Sequence, residues 1–231
     1  MDQSTAQAIM AKNQTDYAAM AAAFSRTRSN LPPDLLALKE YIIKGEKILD
    51  LGCGNGRFSE LVAPEDYLGA DVCEALVKIA QEKYPNKKFT SVKALQLPFP
   101  DQSFDKVFCL AVIHHLPSEA YRRIFLGEIK RVLRPGGKLI LTSWYLLDKP
   151  KIWLQLIKMA GLKLLGKNRL DFGDLFCPFK SPQGEILAER YFHAFSLRGL
   201  RKLAARQDFS IIKADVISRG KHHNIQILAK S

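Results

Sequence analysis

Two aspartates and three glycines late in the chain's first third are the first residues able to do chemistry together. The run Ile48-Leu49-Asp50-Leu51-Gly52-Cys53-Gly54-Asn55-Gly56 sets an acid at the end of an apolar segment and follows it with glycines at alternate positions. Glycines so placed permit a tight turn and let a ligand come close to the backbone. A dinucleotide site calls for G-x-G-x-x-G, yet Arg57 stands where the third glycine would be, which argues against a nicotinamide dinucleotide. The acid suits a ligand with an ammonium group better than one with a pyrophosphate, since two negative groups repel in a low-dielectric cleft. Asp50 is therefore the candidate partner of an amine. Asp71, 21 residues further on, ends the run YLGAD, where a carboxylate can accept both hydroxyls of a ribose. Cys53 reads as a small filler of the turn, not as a nucleophile.

Such a turn must hang from the carboxyl end of a strand, and the surrounding pattern supplies one. From Lys47 short apolar runs alternate with helical stretches: KILDL, NGRFSELVA, YLGADV, CEALVKIAQEKY, KKFTSV, FDKVFCLAV, SEAYRRIFLGEIKRVL and GKLILTSW. Alternation of this kind predicts an α/β fold with a parallel sheet covered by helices on both faces. The C-terminal helix LRGLRKLAARQ and the runs FSIIKADVI and NIQILAK would complete the sheet as an antiparallel edge hairpin. Residues 5–24, rich in Ala and Met, predict a helix that breaks at Pro32 and Pro33 and serves as a lid or cap. Between Tyr145 and Arg190 the alternation stops. A basic amphipathic stretch, PKIWLQLIKMAGLKLLGK, leads into DFGDLFCPFKSPQGE, which reads as irregular, and the whole insertion is expected to sit over the site. Within it Trp153, Leu156, Ile157 and Leu164 fall at helical spacing and are expected to cover the core. The division is thus one domain: a helical cap (1–45), a ligand-binding core (46–146), an insertion (147–190), and a C-terminal helix with edge strands (191–231).

Charge is unevenly spread over the 231 residues. Of 35 Lys+Arg and 23 Asp+Glu, residues 147–231 hold 16 and 7, so +9 of the +12 net charge lies in the last third. That asymmetry suggests an anionic partner such as RNA or an anionic membrane surface. No run of about 18 apolar residues could span a bilayer, so stable membrane insertion is not expected. The first residues lack the basic-then-apolar order of a secretion signal. Cys53, Cys73, Cys109 and Cys177 show neither metal-ligand nor disulfide spacing, so no metal is expected and a reducing cytoplasmic setting fits best.

The glycine turn, the spaced acid, LPFPDQSFD and LRPGG, in this order, resemble the class I S-adenosylmethionine-dependent methyltransferases over roughly residues 46–144. The resemblance implies a Rossmann-like, mostly parallel seven-stranded sheet with S-adenosyl-L-methionine held by Asp50, Gly52, Cys53, Gly54, Gly56, Asp71 and Val72. It puts the adenine near Lys93, Ala94 and Leu95, and the methionyl side along Leu110, Ala111 and Val112. Many members carry an Asp where Lys93 aligns. A lysine cannot accept from the adenine amino group, which shifts that recognition to backbone groups at Ala94 and Leu95 or moves the alignment by a residue.

A second set looks like the tRNA wobble-uridine carboxymethyl methyltransferases and spans nearly the whole chain. It comprises Tyr17 with Phe24-Ser25-Arg26-Thr27-Arg28, Val112-Ile113-His114-His115, Trp144, the run Asp174 to Lys180, and Arg190-Tyr191-Phe192-His193-Ala194-Phe195. Those enzymes esterify the carboxylate of 5-carboxymethyluridine in the anticodon loop, in eukaryotes with a small zinc-binding activator subunit. By that resemblance Arg28, Arg190 and His193 would grip a carboxylate or phosphate, Arg through a two-pronged fork. His115 and Trp144 would touch the acceptor base, Tyr191 could stack or donate, and the basic last third would follow the tRNA backbone. One of His114 and His115 is expected only to pack or cap. Two other readings stand beside this one. A small-molecule or quinone and lipid methyltransferase shares the same core, with Lys149 to Lys167 lying on an anionic membrane. A non-catalytic cofactor-binding subunit is the other.

Overall fold

The computed structural model describes residues 1–181, 183–219 and 222–231; Pro182 of the insertion, Gly220, and Lys221 of the basic last third lie outside the described residues. Four short apolar runs pair in parallel around a wholly buried first strand, β1 (Ile48–Leu51). With β2 (Tyr67–Asp71), β3 (Lys88–Ser91), β4 (Phe104–Leu110) and β5 (Leu133–Trp144) they form the parallel part of the sheet. The full order is β3-β2-β1-β4-β5-β9-β8, where β8 (Ser210–Arg219) and β9 (His222–Lys230) are the antiparallel edge expected from sequence. Strand order reverses at β1 and β4, so the crevice beyond their carboxyl ends is where ligands of such sheets bind.

Strand parity divides the core. Leu49, Leu51, Val107, Cys109, Leu139 and Leu141 face one side, against Phe125, Leu126, Ile129 and Val132 of helix α4 (Glu119–Val132). Ile48, Phe108 and Ile140 face the other, with Phe58 and with Val77 of α3 (Glu74–Lys83). Asp50 shares the parity of Ile48, and alternation along β1 carries it to this second face.

Three segments depart from the sequence reading. NGRFSELVA makes only a 3-10 turn at Arg57–Leu61: Val62 is already extended (φ −113°, ψ 142°), and Pro64 disfavours helical backbone at Ala63 behind it. DFGDLFCPFKSPQGE is not irregular: β6 (Asp174–Lys180) pairs antiparallel with β7 (Ile186–His193) in a separate two-stranded sheet. Pro178 masks β6 in any pattern reading and is tolerated because the strand is an edge. Helix α5 (Pro150–Leu164) lies on this hairpin through Ile152, Leu156 and Met159. Of the four residues expected to cover the core, only Leu156 turns inward; Trp153, Ile157 and Leu164 point to solvent.

The helix read over residues 5–24 forms and runs longer. Helix α1 (Gln3–Arg26) starts from Asp2, whose Oδ1 accepts from the Thr5 amide at 2.8 Å, and it crosses β7 and α3. A short α2 (Pro33–Ala37) follows. Helix α6 (Leu197–Ala205), capped by Ser196, packs Leu200 and Leu203 under β8. No helix among the described residues is long and apolar enough to cross a membrane.

Candidate functional site

The glycine turn is suspended from β2, where the Gly52 and Cys53 amides both donate to the Ala70 carbonyl at 2.7 and 3.1 Å. Gly52 has φ +81°, and a Cβ there would meet Val112 Cγ2 at 2.1 Å, so no side chain fits. The Gly54 amide donates to Asp71 Oδ2 at 2.8 Å and the Cys73 amide to Oδ1 at 2.9 Å. Both oxygens are thereby aimed, and each keeps a lone pair for a ligand. Gly56 has a different reason to be glycine: a Cβ would sit 2.8 Å from Phe89 Cζ and 2.9 Å from Ala80 Cβ. It does not line the cavity, and its expected place among the ligand-contacting residues is corrected to one that lets β3 and α3 pack behind the turn.

Asp50 is buried and accepts from the Tyr67 hydroxyl at 2.8 Å. Burial pushes its pKa up to about 7; the Tyr67 bond pulls the other way and nearby Asp71 adds to the rise. Burial likewise raises Asp71 against the pull of its backbone donors. The Arg57 guanidinium also lowers Asp50, a smaller effect than that of burial. Burial, then Asp71 and Asp50, keep the Cys53 thiol protonated, as a filler requires. A cationic ligand would favour the Asp50 carboxylate, so its binding should release a proton. Affinity should therefore climb as pH rises through about 7 and level off above, and calorimetry at about pH 6 and pH 8 should differ by about tenfold. The folding term has the matching sign: a raised carboxyl stabilises the empty protein below its unfolded pKa and loses that contribution as pH climbs through about 7. Ligand-induced gain in Tm should grow over the same interval.

A cavity of about 540 Å³ opens above the turn, between α1 and the carboxyl ends of β1, β2, β4 and β5. Its size suits a nucleoside-sized ligand with room for a second reactant. Asp50, Gly52, Cys53, Gly54, Asp71, Val72, Lys93, Ala94, Leu95, Leu110, Ala111 and Val112 all line it. Ala111 is held at φ +60° by bonds from its amide to the Thr142 carbonyl (3.1 Å) and Oγ1 (3.0 Å), backbone strain of the sort found at functional sites. The residues fit an adenosyl amino acid: a carboxylate seeking a cation, a second carboxylate with aimed lone pairs, and an apolar slot from Leu76, Val92 and Leu95.

Sequence reasoning missed how α1 closes this cavity. Asn13 Nδ2 donates to the His115 carbonyl at 3.0 Å while its Oδ1 accepts from the Tyr191 amide at 3.2 Å, and Gln14 Nε2 donates to the Val72 carbonyl at 3.2 Å. Met10, Asn13, Gln14 and Tyr17 recur at helical spacing, a signal that one polar-edged face of α1 looks inward.

At the far end of the cavity His115 is locked. Its Nδ1 lies 3.0 Å from the Tyr191 carbonyl, which can only accept, so Nδ1 carries the proton and Nε2 accepts from the Tyr17 hydroxyl at 2.9 Å. Burial above all holds its pKa down to about 3, with Arg190 and Arg28 adding to the effect against the Tyr191 bond. His114, fully buried and stacked on Phe192 (centroids 5.2 Å, 13°), packs. Trp144 lines the cavity and also stacks on Phe192 (5.1 Å, 22°), and Arg28 lines it with its guanidinium 3.7 Å over the Phe24 ring.

Arg190 and His193 do not line the cavity, and alternation along β7 sends them to opposite faces. Arg190 and Phe192 face Trp144; the Arg190 guanidinium is 5.5 Å from the Trp144 ring and 5.1 Å from Phe179 and Phe192. Tyr191 and His193 face the opposite way, to a buried Asp174 that accepts from the Tyr191 hydroxyl at 2.6 Å and pairs with His193 Nδ1 at 2.7 Å. His193 belongs to a separate, smaller cavity with Arg122, Lys202 and Arg206. The expectation that His193 and Tyr191 meet the acceptor is corrected accordingly. Among the described residues no group of His, Cys, Asp and Glu could hold a metal ion.

Residues 49–141 match the family model described as a methyltransferase domain. A protein of Encephalitozoon cuniculi named as a methyltransferase is 32% identical over 175 residues, covering 76% of this chain and 75% of its own length. The tRNA (carboxymethyluridine(34)-5-O)-methyltransferase of Arabidopsis thaliana is 35% identical over 128 residues, covering 55% of this chain and 31% of its own. This chain spans about a third of the length of such curated relatives. Among solved structures, an S-adenosylmethionine-dependent methyltransferase of Methanosarcina mazei superposes with a TM-score of 0.72 at 22% identity, over 87% of this chain and 98% of that one.

Proposed function

Because the chain belongs to the class I S-adenosylmethionine-dependent methyltransferases, we propose that it methylates a carboxylate, that of 5-carboxymethyluridine at the wobble position of tRNA. The observation that carries this reading is a buried donor without a partner among the described residues at the acceptor end of the cavity, Trp144 Nε1, with the guanidinium of Arg190 packed behind its ring. Donors left without partners are costly in a buried setting, so a ligand that accepts from them recovers that cost on binding. A carboxylate suits that place, since one oxygen can accept from Trp144 Nε1 and the Arg190 fork behind that ring is the nearby partner for its charge.

Bound over the glycine turn, the cofactor supplies an electrophilic methyl group on a sulfonium. Asp50 would hold its amine end and Asp71 its ribose, Ala94 and Leu95 would flank its base, and Phe24 and Tyr17 close the cavity from α1. An acceptor carboxylate, with an ordinary pKa of about 4, arrives ionised, so positioning is the chief requirement. That agrees with His115, which is neutral and already engaged at both ring nitrogens and so holds Tyr17 rather than removing a proton. Arg28 at the cavity mouth and the basic last third would meet the RNA phosphates, and a small zinc-binding activator is the protein partner that the resemblance supplies.

The test is incubation with S-adenosylmethionine and tRNA carrying carboxymethyluridine, followed by nucleoside mass spectrometry. One added methyl on that nucleoside is expected, with activity falling steeply as salt is raised because counterion release is lost. Methylation of small acids or quinols with tRNA untouched, or a rate on tRNA indifferent to salt, would refute the RNA reading.

A further inference from the structure

Helix α5 and the turn after it carry a row of large apolar side chains that none of the described residues covers. Trp153, Leu154, Ile157, Leu164 and Leu165 are between 50% and 79% exposed, and Phe172 stands out a few residues on. Leu154, Ile157, Gly161, Leu164 and Leu165 recur at helical spacing and so form one stripe. The opposite face is already committed, through Ile152, Leu156 and Met159, to the β6–β7 hairpin. Rotation cannot hide the stripe. Exposed apolar patches of this extent on a soluble domain mark a surface that meets something else.

Charge says what that is. Between Asp148 and Asp171 the sequence carries Lys149, Lys151, Lys158, Lys163, Lys167 and Arg169 and no acid. Lys151 and Lys158 run along one flank of the stripe, and exposed Lys167 and Arg169 follow its end. Trp153 Nε1 donates to the Leu147 carbonyl at 2.9 Å, so its ring can leave water without stranding a donor. From Leu154 to Leu165 the stripe is about 17 Å long, well short of the roughly 30 Å a spanning helix needs. A convex apolar row with lysines at its edge matches a helix lying in the plane of a lipid interface, its bases among anionic headgroups. RNA would have no use for the aliphatic row. We propose that α5 seats this protein peripherally on an anionic membrane surface. The proposal does not depend on which acceptor is methylated.

Vesicles of phosphatidylcholine alone and of phosphatidylcholine with phosphatidylserine test it by co-sedimentation of the whole chain. The protein should pellet with the serine-containing vesicles and stay in solution with the others, with tryptophan emission shifting to the blue. Lys151→Gln, Lys158→Gln and Lys167→Gln should each lower the partition constant by about fivefold. Ile157→Glu combined with Leu164→Glu should abolish pelleting while calorimetric binding of S-adenosylmethionine stays unchanged, which shows the variant folded. Equal pelleting with both vesicle types, none with either, or variants that behave as the parent would each defeat the proposal. So would a concentration-dependent dimer that Ile157→Glu dissolves, which would assign the stripe to a second copy of the chain.

Discussion

Asp71→Asn should weaken S-adenosylmethionine binding by roughly 10²- to 10³-fold while leaving the fold intact. The side chain is aimed by the Gly54 and Cys73 amides, one to each oxygen. An amide in its place must turn its NH2 toward one of these two donors and so lose a bond, and it presents to a ribose a donor where an acceptor stood. Two charge-assisted hydrogen bonds to the ligand at about 1.5–3 kcal/mol each set the magnitude. Stability should change less, since burial has already raised the Asp71 pKa and the neutral amide removes a charge that the empty protein holds at a cost. Calorimetry gives the dissociation constant and a thermal melt without ligand controls for folding. A Kd within a factor of about three of the parent's would mean that no ribose is held there.

The two acids and the turn between them were readable because their chemistry and their place at strand ends follow from one linear pattern. Gly56 was not, because a glycine that admits a ligand and one that admits Phe89 and Ala80 look identical in sequence; only the packed neighbours differ. The faces of α5 were inverted in part for a similar reason. Helical spacing reveals a stripe but not whether it faces the core, and here the hairpin claimed the face bearing Ile152 and Leu156. The hairpin was itself hidden by Pro178, and with it went strand parity along Arg190-Tyr191-Phe192-His193. Had β7 been recognised, alternation would have separated Arg190 from His193 at once. Asn13 and Gln14 were overlooked although they fall on one face with Tyr17, since a polar residue on an Ala-rich helix reads equally well as solvated surface.

Arg190 separates binding from turnover. Arg190→Lys keeps a positive charge and an aliphatic stem among Trp144, Phe179 and Phe192 but removes the fork. On carboxymethyluridine-bearing tRNA its kcat/KM should fall by about 10²-fold, the loss of one strong charge-assisted contact, with the S-adenosylmethionine Kd within about twofold of the parent. Arg190→Met should lower it further, by about 10³-fold, while sparing the fold, because the same substitution removes the unsatisfied Nε and Nη1 and fills most of the space. The decisive comparison is the acceptor. Against a carboxylate the lysine variant should recover part of what the methionine variant loses, since a point charge still attracts the anion, and the shortfall should lie in kcat as much as in KM if the fork orients the attacking oxygen. A guanidinium that merely packs would show the opposite: melting temperatures that fall in step with activity, and equal losses for both variants. Weakened cofactor binding with turnover spared at saturating cofactor would instead place Arg190 on the donor side of the cavity, exchanging its role with that of Asp71.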